Sequence, residues 1–280
     1  MNIETALRQA QNILNNKNFK SVNLDCEILM SKVLDEDRKY IILNQKKNLE
    51  KFKLDYFKSL VEQRSFGKPI AYLLEKKDFW KSEFLIKKGV LIPRPDTEVI
   101  IEQALKLNKN RLRQRILDIG VGSGCILLSL LKEEKNFYGT GIDISAKCIS
   151  LSKINAQRLG LINRVKFFKS DIDNFSNGKY DLIISNPPYI KNLDLKCLEK
   201  DVINFEPKLA LNGGLEGITE IKKVINKSAK LIKKNGKLIL EIAFNQKEKV
   251  RQLLINNGFY VNMVIKDLAK NDRCIVSTKK

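Results

Sequence analysis

The sequence predicts an α/β protein in which a doubly wound, mostly parallel sheet follows a small N-terminal helical domain. From Arg115 onward, strand-like segments alternate with helix-like segments, and such alternation is typical of a parallel sheet covered by helices on both faces. The last two strand-like segments have no helix between them, so we expect an antiparallel pair at one edge of the sheet. Before residue 75, apolar residues instead recur at intervals of three and four, which predicts helices.

The N-terminal part is predicted to be a helical domain over residues 1–74, followed by a β-hairpin linker over residues 75–92. The apolar spacing predicts helices at 3–14, 24–34 and 49–66. The hairpin is predicted because Phe79, Trp80, Phe84 and Ile86 lie in a short stretch of alternating character.

The α/β domain is predicted to cover residues 93–280. Its first helix is expected near residues 97–107, with Thr97 as the N-cap and with Asp96 and Glu98 near the positive end of the helix. The strands are predicted at 115–120, 137–144, 164–172, 180–190, 236–244, 259–267 and 273–279. Helices are predicted between them at 125–134, 146–160, 218–234 and 246–258.

The composition limits the kinds of site that this chain can build. Its 280 residues are 43% hydrophobic, which is enough for a large core, and no apolar run is long enough to span a membrane. There is no histidine, which excludes Ser-His-Asp and Cys-His nucleophilic sites and most zinc enzymes, and no metal site is expected. The five cysteines are far apart and form no CxxC pair, so free thiols in a reducing compartment are expected. Since the first residues also lack a signal peptide, we expect a cytoplasmic protein.

The net charge is strongly positive. Its value of +20, from 52 Lys and Arg against 32 Asp and Glu, suits an anionic partner such as nucleic acid or a ribosomal complex. However, Lys, Asn and Ile are abundant along the whole chain and the charge forms no arginine-rich stripe. A general compositional bias therefore explains the charge better, and contact with nucleic acid or the ribosome is not required.

A glycine-rich segment, LDIGVGSG, lies where the first strand of the α/β domain turns into a helix. Gly120, Gly122 and Gly124, with Val121 and Ser123 between them, would let the backbone approach a ligand closely beside the free N–H groups of the helix. About twenty residues further on, Asp143 closes the next strand, where a carboxylate binds ribose hydroxyls. The pattern indicates a nucleotide-like ligand, and the alternative is a glycine turn with a capping aspartate.

The spacing and the charges of this segment favour S-adenosylmethionine as the ligand. The pattern is GxGxG, not the GxGxxG of dinucleotide folds, so the loop need not hold a pyrophosphate. S-adenosylmethionine carries ribose and adenine, no phosphate, and a cationic sulfonium, which suits the carboxylates of Asp118, Asp143 and Asp171. Asp171 would accept from the adenine amino group, and Ile172 would cover the ring face.

A second segment, SNPPYI, ends an apolar strand with two prolines. Pro187 and Pro188 fix the turn and donate no hydrogen bonds, so what the turn offers is two acceptors, the side-chain oxygen of Asn186 and the carbonyl of Pro187. Tyr189 adds an aromatic face. Two acceptors and a ring match a planar –NH₂ group, whose nitrogen could then attack a sulfonium methyl without any histidine, because the nitrogen loses its proton readily after transfer. The alternative is a purely structural turn at the end of a strand.

Together with LIPRPDTE, EPKLALNGGLEGI, LEIAFNQ and the terminal DLAKNDRCIV, these segments resemble the bacterial release factor glutamine N5-methyltransferases, the HemK/PrmC family. The resemblance covers nearly the whole chain. It implies the class I S-adenosylmethionine methyltransferase fold, a Rossmann-like doubly wound sheet with an antiparallel edge strand, behind a helical domain that helps to bind the protein substrate.

The resemblance also implies the reaction and the site. One methyl group would pass from S-adenosylmethionine to the side-chain amide nitrogen of the glutamine in the Gly-Gly-Gln loop of peptide chain release factors. Residues 120–124, Asp143 and Asn186 would bind the cofactor, and residues 186–189, Asn186 again among them, would hold the glutamine. Arg94, Thr97 and Glu98 lie in the PRPDTE segment, which abuts the cofactor in such enzymes. A monomer without a membrane partner is expected.

Three other functions are compatible with parts of the sequence. An adenine-N6 nucleic-acid methyltransferase shares the NPPY segment, but the chain has no large target-recognition region. A non-catalytic nucleotide-binding module would leave Asn186 without a role. An NAD-dependent dehydrogenase does not fit the glycine spacing.

Overall fold

The computed structural model describes residues 1–17, 19, 21–108 and 113–280. The chain divides into two compact units, one formed by residues 1–76 with 199–205 and the other by residues 77–198 with 206–280.

The first unit is helical, as predicted. It contains α1 (Ile3–Asn15), α2 (Val22–Leu34), α3 (Arg38–Leu43), α4 (Lys51–Ser65) and α5 (Ile70–Leu74). The apolar stripes of the three longer helices enclose one core, which includes Ile3, Leu7, Leu14, Leu29, Met30 and Phe57. Apolar spacing did not predict α3 and α5, because helices of six and five residues are too short to show a period.

A buried ion pair joins two helices of this unit. The Nε of Arg64 donates to Oδ2 of Asp25 at 2.8 Å, and both side chains are less than one-tenth exposed. Ser21 donates to the other carboxylate oxygen at 2.9 Å, and the guanidinium of Arg64 stacks on the ring of Phe19. The partners satisfy each other inside the core, which is the arrangement that buried charges require.

The predicted hairpin consists of β1 (Lys76–Phe79) and β2 (Ser82–Leu85), which form a two-stranded sheet. Trp80 turns the chain with a φ of +53°, and its indole Nε1 donates to Glu133. A tryptophan in this conformation is uncommon and needs support from its surroundings, which the two hydrogen bonds of Trp80 to Glu133 and Glu98 supply.

The second unit contains the predicted doubly wound sheet. Its strands are β3 (Gln114–Ile119), β4 (Phe137–Asp143), β5 (Val165–Lys169), β6 (Tyr180–Ser185), β7 (Ile232–Glu241), β8 (Phe259–Lys266) and β9 (Asp272–Lys279). They are ordered β5-β4-β3-β6-β7-β9-β8, and the first five of these are parallel. The final pair lies at one edge as predicted; β9 runs antiparallel to both of its neighbours, and β8 is the outermost strand.

One helix, α6 (Glu98–Asn108), precedes the first strand of the sheet. Four longer helices lie between later strands in the sequence: α7 (Cys125–Glu133), α8 (Ala146–Arg158), α10 (Thr219–Leu231) and α11 (Lys247–Asn256). The short helix α9 (Lys200–Phe205) belongs to the first unit and was not predicted. The predicted helix at 218–234 ends early, because β7 already begins at Ile232. The predicted strand at 180–190 ends at Ser185, since the prolines that follow cannot donate to a ladder. Within the described residues, no helix is long and apolar enough to cross a membrane.

The strand order reverses at β3, which pairs with β4 on one side and with β6 on the other. Ile119, the last residue of β3, is paired with Ile142 and with Ser185. The loops that leave β3 and β6 therefore emerge side by side at the carboxyl edge of the sheet, which is where open α/β sheets bind their ligands.

Candidate active site

The two segments that the sequence singled out meet at this reversal of strand order. The N–H groups of Gly120 and Val121 both donate to the carbonyl of Ile142 at 2.9 Å, which ties the glycine loop to β4. The buried hydroxyl of Ser185 donates to the carbonyl of Ile119 at 2.6 Å, which ties the end of β6 to the end of β3. These hydrogen bonds fix the points at which the glycine loop and the Asn-Pro-Pro-Tyr turn leave their strands.

The glycine loop leaves an open face beside its backbone. Gly120 and Gly122 have φ values of +78° and +56°, and a Cβ on either would meet no side chain within 4 Å. Gly124, at +84°, lies instead against α8, where a Cβ would come within 3.3 Å of the Ser152 hydroxyl. The first two glycines therefore leave room for a ligand, whereas the third allows two helices to pack closely.

Asp143 holds this loop in place. Its Oδ2 accepts from the N–H of Gly122 at 3.0 Å, and its Oδ1 accepts from the N–H of Ser145 at 2.9 Å. Burial raises the pKa of this carboxyl, and the two backbone donors partly offset that rise by lowering it. A carboxylate has about four acceptor positions, so it can still accept hydrogen bonds from a diol.

Asp118 lies under the loop as an unsatisfied acid. It is 1% exposed, and neither of its oxygens has a hydrogen-bond partner in the described part of the chain; the N–H of Leu127 acts on it only weakly. Burial, reinforced by the charge of Asp143, raises the pKa of Asp118 to about 8. A buried carboxyl without a partner is costly, and a cation bound at the open face of the loop would stabilise its ionised form.

These features fit the predicted S-adenosylmethionine. The open face at Gly120 and Gly122 provides space beside the backbone, Asp143 provides acceptors for ribose hydroxyls, and Asp118 provides negative charge for a cation. Among the described residues, no basic side chain forms a hydrogen bond or an ion pair with either aspartate. These two acidic groups therefore suit a cationic ligand and not a phosphate.

The Asn-Pro-Pro-Tyr turn presents free acceptors. Asn186 is half-buried, and its Nδ2 donates to the Thr97 hydroxyl oxygen at 3.2 Å. Its Oδ1 accepts no hydrogen bond from a described residue, and the carbonyl of Pro187 accepts none either. Two consecutive residues, the half-buried Asn186 and the buried Pro187, thus each carry an acceptor that no described residue uses, in a turn whose two prolines add no donor.

Tyr189 is held from below by Glu241, the last residue of β7. The Tyr189 hydroxyl donates to Oε1 of Glu241 at 3.1 Å, and the ring packs against the core of the sheet. Burial and the charge of Glu241 raise the pKa of Tyr189 above its usual range, so the phenol keeps its proton. Glu241 is 2% exposed, and burial also raises its pKa.

The segment that contains Gly213 and Gly217 packs against the backbone of Tyr189. A Cβ on Gly213 would lie 2.8 Å from the Tyr189 Cα, and one on Gly217 would lie 2.5 Å from the Tyr189 carbonyl oxygen. Gln246 donates from Nε2 to the carbonyls of Tyr189 at 3.0 Å and Gly217 at 2.9 Å. Only glycine fits these two contacts, so the GGLEG segment serves as a rigid support for the turn.

The structure brings only part of the PRPDTE segment to the turn. Thr97 is buried next to Asn186 and ends a short 3-10 helix. The predicted N-cap at Thr97 is wrong, because its hydroxyl oxygen accepts a hydrogen bond from Asn186 and forms no cap. Arg94 pairs with the buried carboxylate of Glu206, which also accepts from the Ile92 N–H. Glu98 accepts from the backbone N–H of Trp80 at 2.7 Å and therefore supports the hairpin.

Asp171 and Ile172 follow β5, which is separated from β6 by the two strands β4 and β3. The Oδ1 of Asp171 accepts from the N–H of Asp173 at 2.9 Å, and Ile172 packs partly against the core of the sheet. Each is half-buried, and their predicted contacts with adenine stay a prediction.

Sequence reasoning missed Glu241, Gln246 and Glu206. The LEIAFNQ segment was noted only as part of a resemblance, although a carboxylate at the end of the apolar run KLILEI is itself unusual. That signal could have drawn attention to Glu241. Nothing in the sequence placed it under Tyr189, because that contact depends on the pairing of β6 with β7.

Two family models match the chain. The model for the Methyltransferase small domain matches residues 96–270, and the model for the PrmC N-terminal domain matches residues 5–74.

Two relatives that match this chain over nearly their full length have the same name. The release factor glutamine methyltransferase of Clostridium acetobutylicum is 35% identical over 282 residues, which cover 100% of this chain and 99% of that protein. The protein of the same name from Buchnera aphidicola subsp. Schizaphis graminum is 36% identical over 100% of both chains. A bifunctional methyltransferase of Rickettsia felis is 32% identical over 98% of this chain, which spans 57% of that longer protein.

Among solved structures, the ribosomal protein L11 methylase of Lactobacillus delbrueckii subsp. bulgaricus has a TM-score of 0.50 and 18% identity, over 67% of this chain and 80% of that one. This likeness concerns the fold. The full-length relatives, together with the match to the PrmC N-terminal domain, confirm the predicted family: the chain belongs to the release factor glutamine methyltransferases.

Proposed function

We propose that this protein methylates the side-chain amide nitrogen of the glutamine in the Gly-Gly-Gln loop of peptide chain release factors, with S-adenosylmethionine as the methyl donor. The observation that carries the proposal is the pair of unpaired acceptors, Asn186 Oδ1 and the Pro187 carbonyl, next to the glycine loop. A primary carboxamide has two N–H donors in one plane, and two adjacent acceptors can take both of them.

The cofactor supplies an electrophilic methyl group on a sulfonium sulfur. Residues 120–124, Asp143 and Asp118 are proposed to bind it, with Asp171 and Ile172 at the adenine. Asp118 lies enclosed beneath the loop and would act on the cation through its electric field, so binding would favour the ionised carboxylate, lower its pKa and release a proton near neutral pH.

Asn186 and Pro187 act on the glutamine nitrogen. This nitrogen is a poor nucleophile, because its lone pair is delocalised into the carbonyl. Hydrogen bonds from both N–H groups polarise the amide and direct the lone pair toward the methyl group, and such alignment is worth effective molarities of about 10⁵–10⁸ M. The rigid turn and Tyr189 restrict the amide plane. The proton leaves the nitrogen after the new N–C bond has formed, so no side chain needs to act as a strong base.

The proposal requires neither nucleic acid nor a membrane nor a second copy of the chain. Its test is transfer of a radiolabelled methyl group to purified release factors, with a Gln→Ala variant of their Gly-Gly-Gln loop as the negative control. We expect label on the wild-type factor, none on the Gln→Ala factor, and almost none when the enzyme carries Asn186→Ala. Label that appears on DNA or RNA and not on the release factor would support the adenine-N6 alternative and refute the proposal.

A further inference from the structure

The charged side chains of the sheet are divided between its two edges. At the carboxyl edge, β3, β4 and β7 end at or next to the acids Asp118, Asp143 and Glu241. At the opposite, amino edge, exposed basic side chains lie near the starts of β3, β6 and β7: Arg113, Arg115, Lys179, Lys230, Lys233 and Lys234. We call these six residues the basic edge. A general bias toward lysine would load both edges alike, so it does not account for this division.

Hydrogen bonds join the basic edge across neighbouring strands. Asp181 on β6 accepts from the backbone N–H of Arg115 on β3 at 2.9 Å and, through its other carboxylate oxygen, from Nζ of Lys233 on β7 at 2.7 Å. The Nζ of Lys179, just before β6, donates to the carbonyl of Lys230, near the end of α10, at 2.6 Å. Residues of three strands and one helix therefore form one continuous surface.

The two arginines of the basic edge lie over aromatic rings of the adjacent strands. The guanidinium of Arg115 lies 5.5 Å from the centre of the Tyr180 ring on β6, and that of Arg113 lies 4.6 Å from the centre of the Tyr138 ring on β4. Tyr138 is 40% exposed. The surface therefore extends to β4, where it offers a flat ring beside a cation.

The two lysines at the start of β7 lie in a bulge that projects from the sheet. The register between β6 and β7 shifts between Tyr180 and Leu182, where β7 has four residues, 233–236, opposite one residue of β6. Asn235 in this bulge has a φ of +62°, a conformation that asparagine adopts more readily than most residues. The backbone thus forms a tight bulge whose lysines face solvent.

The basic edge carries a large excess of positive charge. Asp181 is the carboxylate that contacts it, so six positive charges face one negative charge, and that one is paired with Lys233. The other five side chains form no ion pair within the part of the chain that the structure describes. Like charges at this density repel each other, and a bound polyanion would relieve the repulsion.

We propose that the basic edge binds the phosphate backbone of a single-stranded nucleic acid. The strands β4, β3, β6 and β7 are consecutive in the sheet, so at a strand spacing of about 4.8 Å the surface is about 14 Å wide. A nucleic acid has one phosphate per about 3.4 Å along each strand, so about four phosphates fit across this width. Lysine and arginine on an open surface contact phosphates without reading bases, and Tyr138 provides a face on which a base can stack.

Other anionic partners fit this surface less well. A membrane-binding surface needs apolar side chains that enter the bilayer, and a stable protein interface needs an apolar centre. On β3, β4, β6 and β7, Tyr138 is the one large apolar side chain that is exposed. A surface that is charged almost throughout suits a partner that is itself charged at every repeat, which is the property of a phosphate backbone.

The basic edge is remote from the candidate active site. β6 begins beside Lys179 and ends beside Asn186, and its six residues span about 20 Å. A nucleic acid on the basic edge is therefore bound at the other end of this strand from the Asn-Pro-Pro-Tyr turn, and it is not placed for methylation. The inference adds a binding function and does not depend on the proposed methylation.

The test is the fluorescence anisotropy of a labelled single-stranded RNA of about 20 nucleotides, titrated with the full chain. The edge variant carries Arg113→Gln, Arg115→Gln, Lys179→Gln and Lys234→Gln, which spares the ion pair of Asp181. Each phosphate contact on a single strand contributes about 0.7 to the slope of log K against log salt concentration. Loss of four contacts should therefore make that slope shallower by about 3 and raise Kd by about 10²-fold or more at 0.1 M salt.

A matched control separates the basic edge from the net charge of the protein. Lys39→Gln, Lys46→Gln, Lys51→Gln and Lys58→Gln remove the same number of charges from exposed lysines of the first unit. This control should change Kd less than threefold and keep the slope. Equal losses in the two variants, an edge variant within threefold of wild type, or a wild type that does not bind the RNA at 0.1 M salt would each overturn the inference.

Two further measurements complete the test. Thermal melting shows whether the edge variant is folded; if it is not, the double variant Lys179→Gln with Lys234→Gln replaces it, and half of the change in slope is expected. Vesicles that contain phosphatidylserine are a second probe, and binding to them without binding to RNA would overturn the inference in favour of a membrane. Methyl transfer to release factors should be unchanged in the edge variant. If RNA binding depends on the basic edge but no release factor is methylated, the proposed function fails and this inference stands.

Discussion

The unsatisfied carboxyl of Asp118 leads to a prediction in which stability and ligand binding change in opposite directions. The substitution is Asp118→Asn, which keeps the shape of the side chain and removes its titration. Because this acid is raised from 3.8 to a pKa of about 8 by burial and by Asp143, the folded protein holds a proton at pH 7 that the unfolded chain releases. Stability of the wild type is therefore lost as pH rises from about 4 to about 8, and asparagine should remove that loss.

The magnitude follows from the pKa difference. Each pH unit between the two pKa values changes the free energy of unfolding by about 1.4 kcal/mol. From pH 5 to pH 8 the variant should therefore gain about 4 kcal/mol over the wild type. Cofactor binding should weaken by about tenfold or more, since the cation loses a partner worth at least about 1.4 kcal/mol.

The assay can observe the second unit by itself. Trp80 is the only tryptophan of the sequence, and its indole is hydrogen-bonded to Glu133 within that unit. Urea unfolding followed by tryptophan fluorescence at several pH values gives the difference between variant and wild type, and taking that difference cancels the other titrating groups. A difference that stays constant between pH 5 and pH 8 would refute the reasoning about Asp118, and so would a variant that is less stable at pH 8.

Three further predictions use the same measurements. Gly120→Ala should cost about 1–2 kcal/mol of stability because of its positive φ, and it should weaken cofactor binding in calorimetry. Gly124→Ala should destabilise the fold more, because its Cβ would come within 2.9 Å of a leucine methyl. Equal losses of stability in the two variants would contradict the assignment of the open face to Gly120. Asp25→Ala leaves a buried guanidinium unpaired and should lower the stability of the first unit by about 3–5 kcal/mol, measured by circular dichroism at 222 nm, and a loss below about 1 kcal/mol would contradict the ion pair. Asn186→Ala should lower kcat by about 10²–10³-fold with cofactor Kd nearly unchanged; parallel losses in both would mean that Asn186 serves the cofactor instead.

Much of the fold could be predicted because local patterns agreed with the final structure. The apolar spacing of α1, α2 and α4 and the alternation of strands and helices from β3 to α11 are properties of consecutive residues. Errors fell where consecutive residues decide little. The short helices α3, α5 and α9 span too few residues to show a period, and β7 begins inside an apparent helix because Ile232 pairs with Tyr180.

The candidate site shows the same limit. The glycine loop and the Asn-Pro-Pro-Tyr turn could be found because each is a contiguous pattern, and the switch of strand order brings them together. The contacts beneath the turn could not be predicted in this way. Thr97 was expected to cap a helix, which is the commonest use of a threonine there, yet it faces Asn186 across 89 positions of sequence.

The buried acids of this chain differ in a way that separates support from function. Asp25 and Glu206 each pair with an arginine, and Asp267 holds Arg273. Asp118 and Glu241 are the buried carboxyl groups of the described residues that retain an oxygen without a hydrogen bond.

Both of these incompletely satisfied acids lie at the carboxyl ends of strands in the same sheet. Asp118 is on β3 beneath the glycine loop, and Glu241 is on β7 beneath the Asn-Pro-Pro-Tyr turn. An acid in an apolar core costs stability unless it is paired, so a chain that needed only to fold would gain by replacing either one with its amide. At each of these two positions, a substitution that favours folding is therefore expected to impair function. Their amide variants should fold at least as well as the wild type and function worse, whereas removal of Asp25 or Glu206 should first weaken the fold. If Asp118→Asn and Glu241→Gln lost as much stability as Asp25→Ala, the paired and the unsatisfied acids would not differ in their effect on folding. The reason to assign a functional role to unsatisfied carboxyl groups, in a protein that has no histidine, would then be lost.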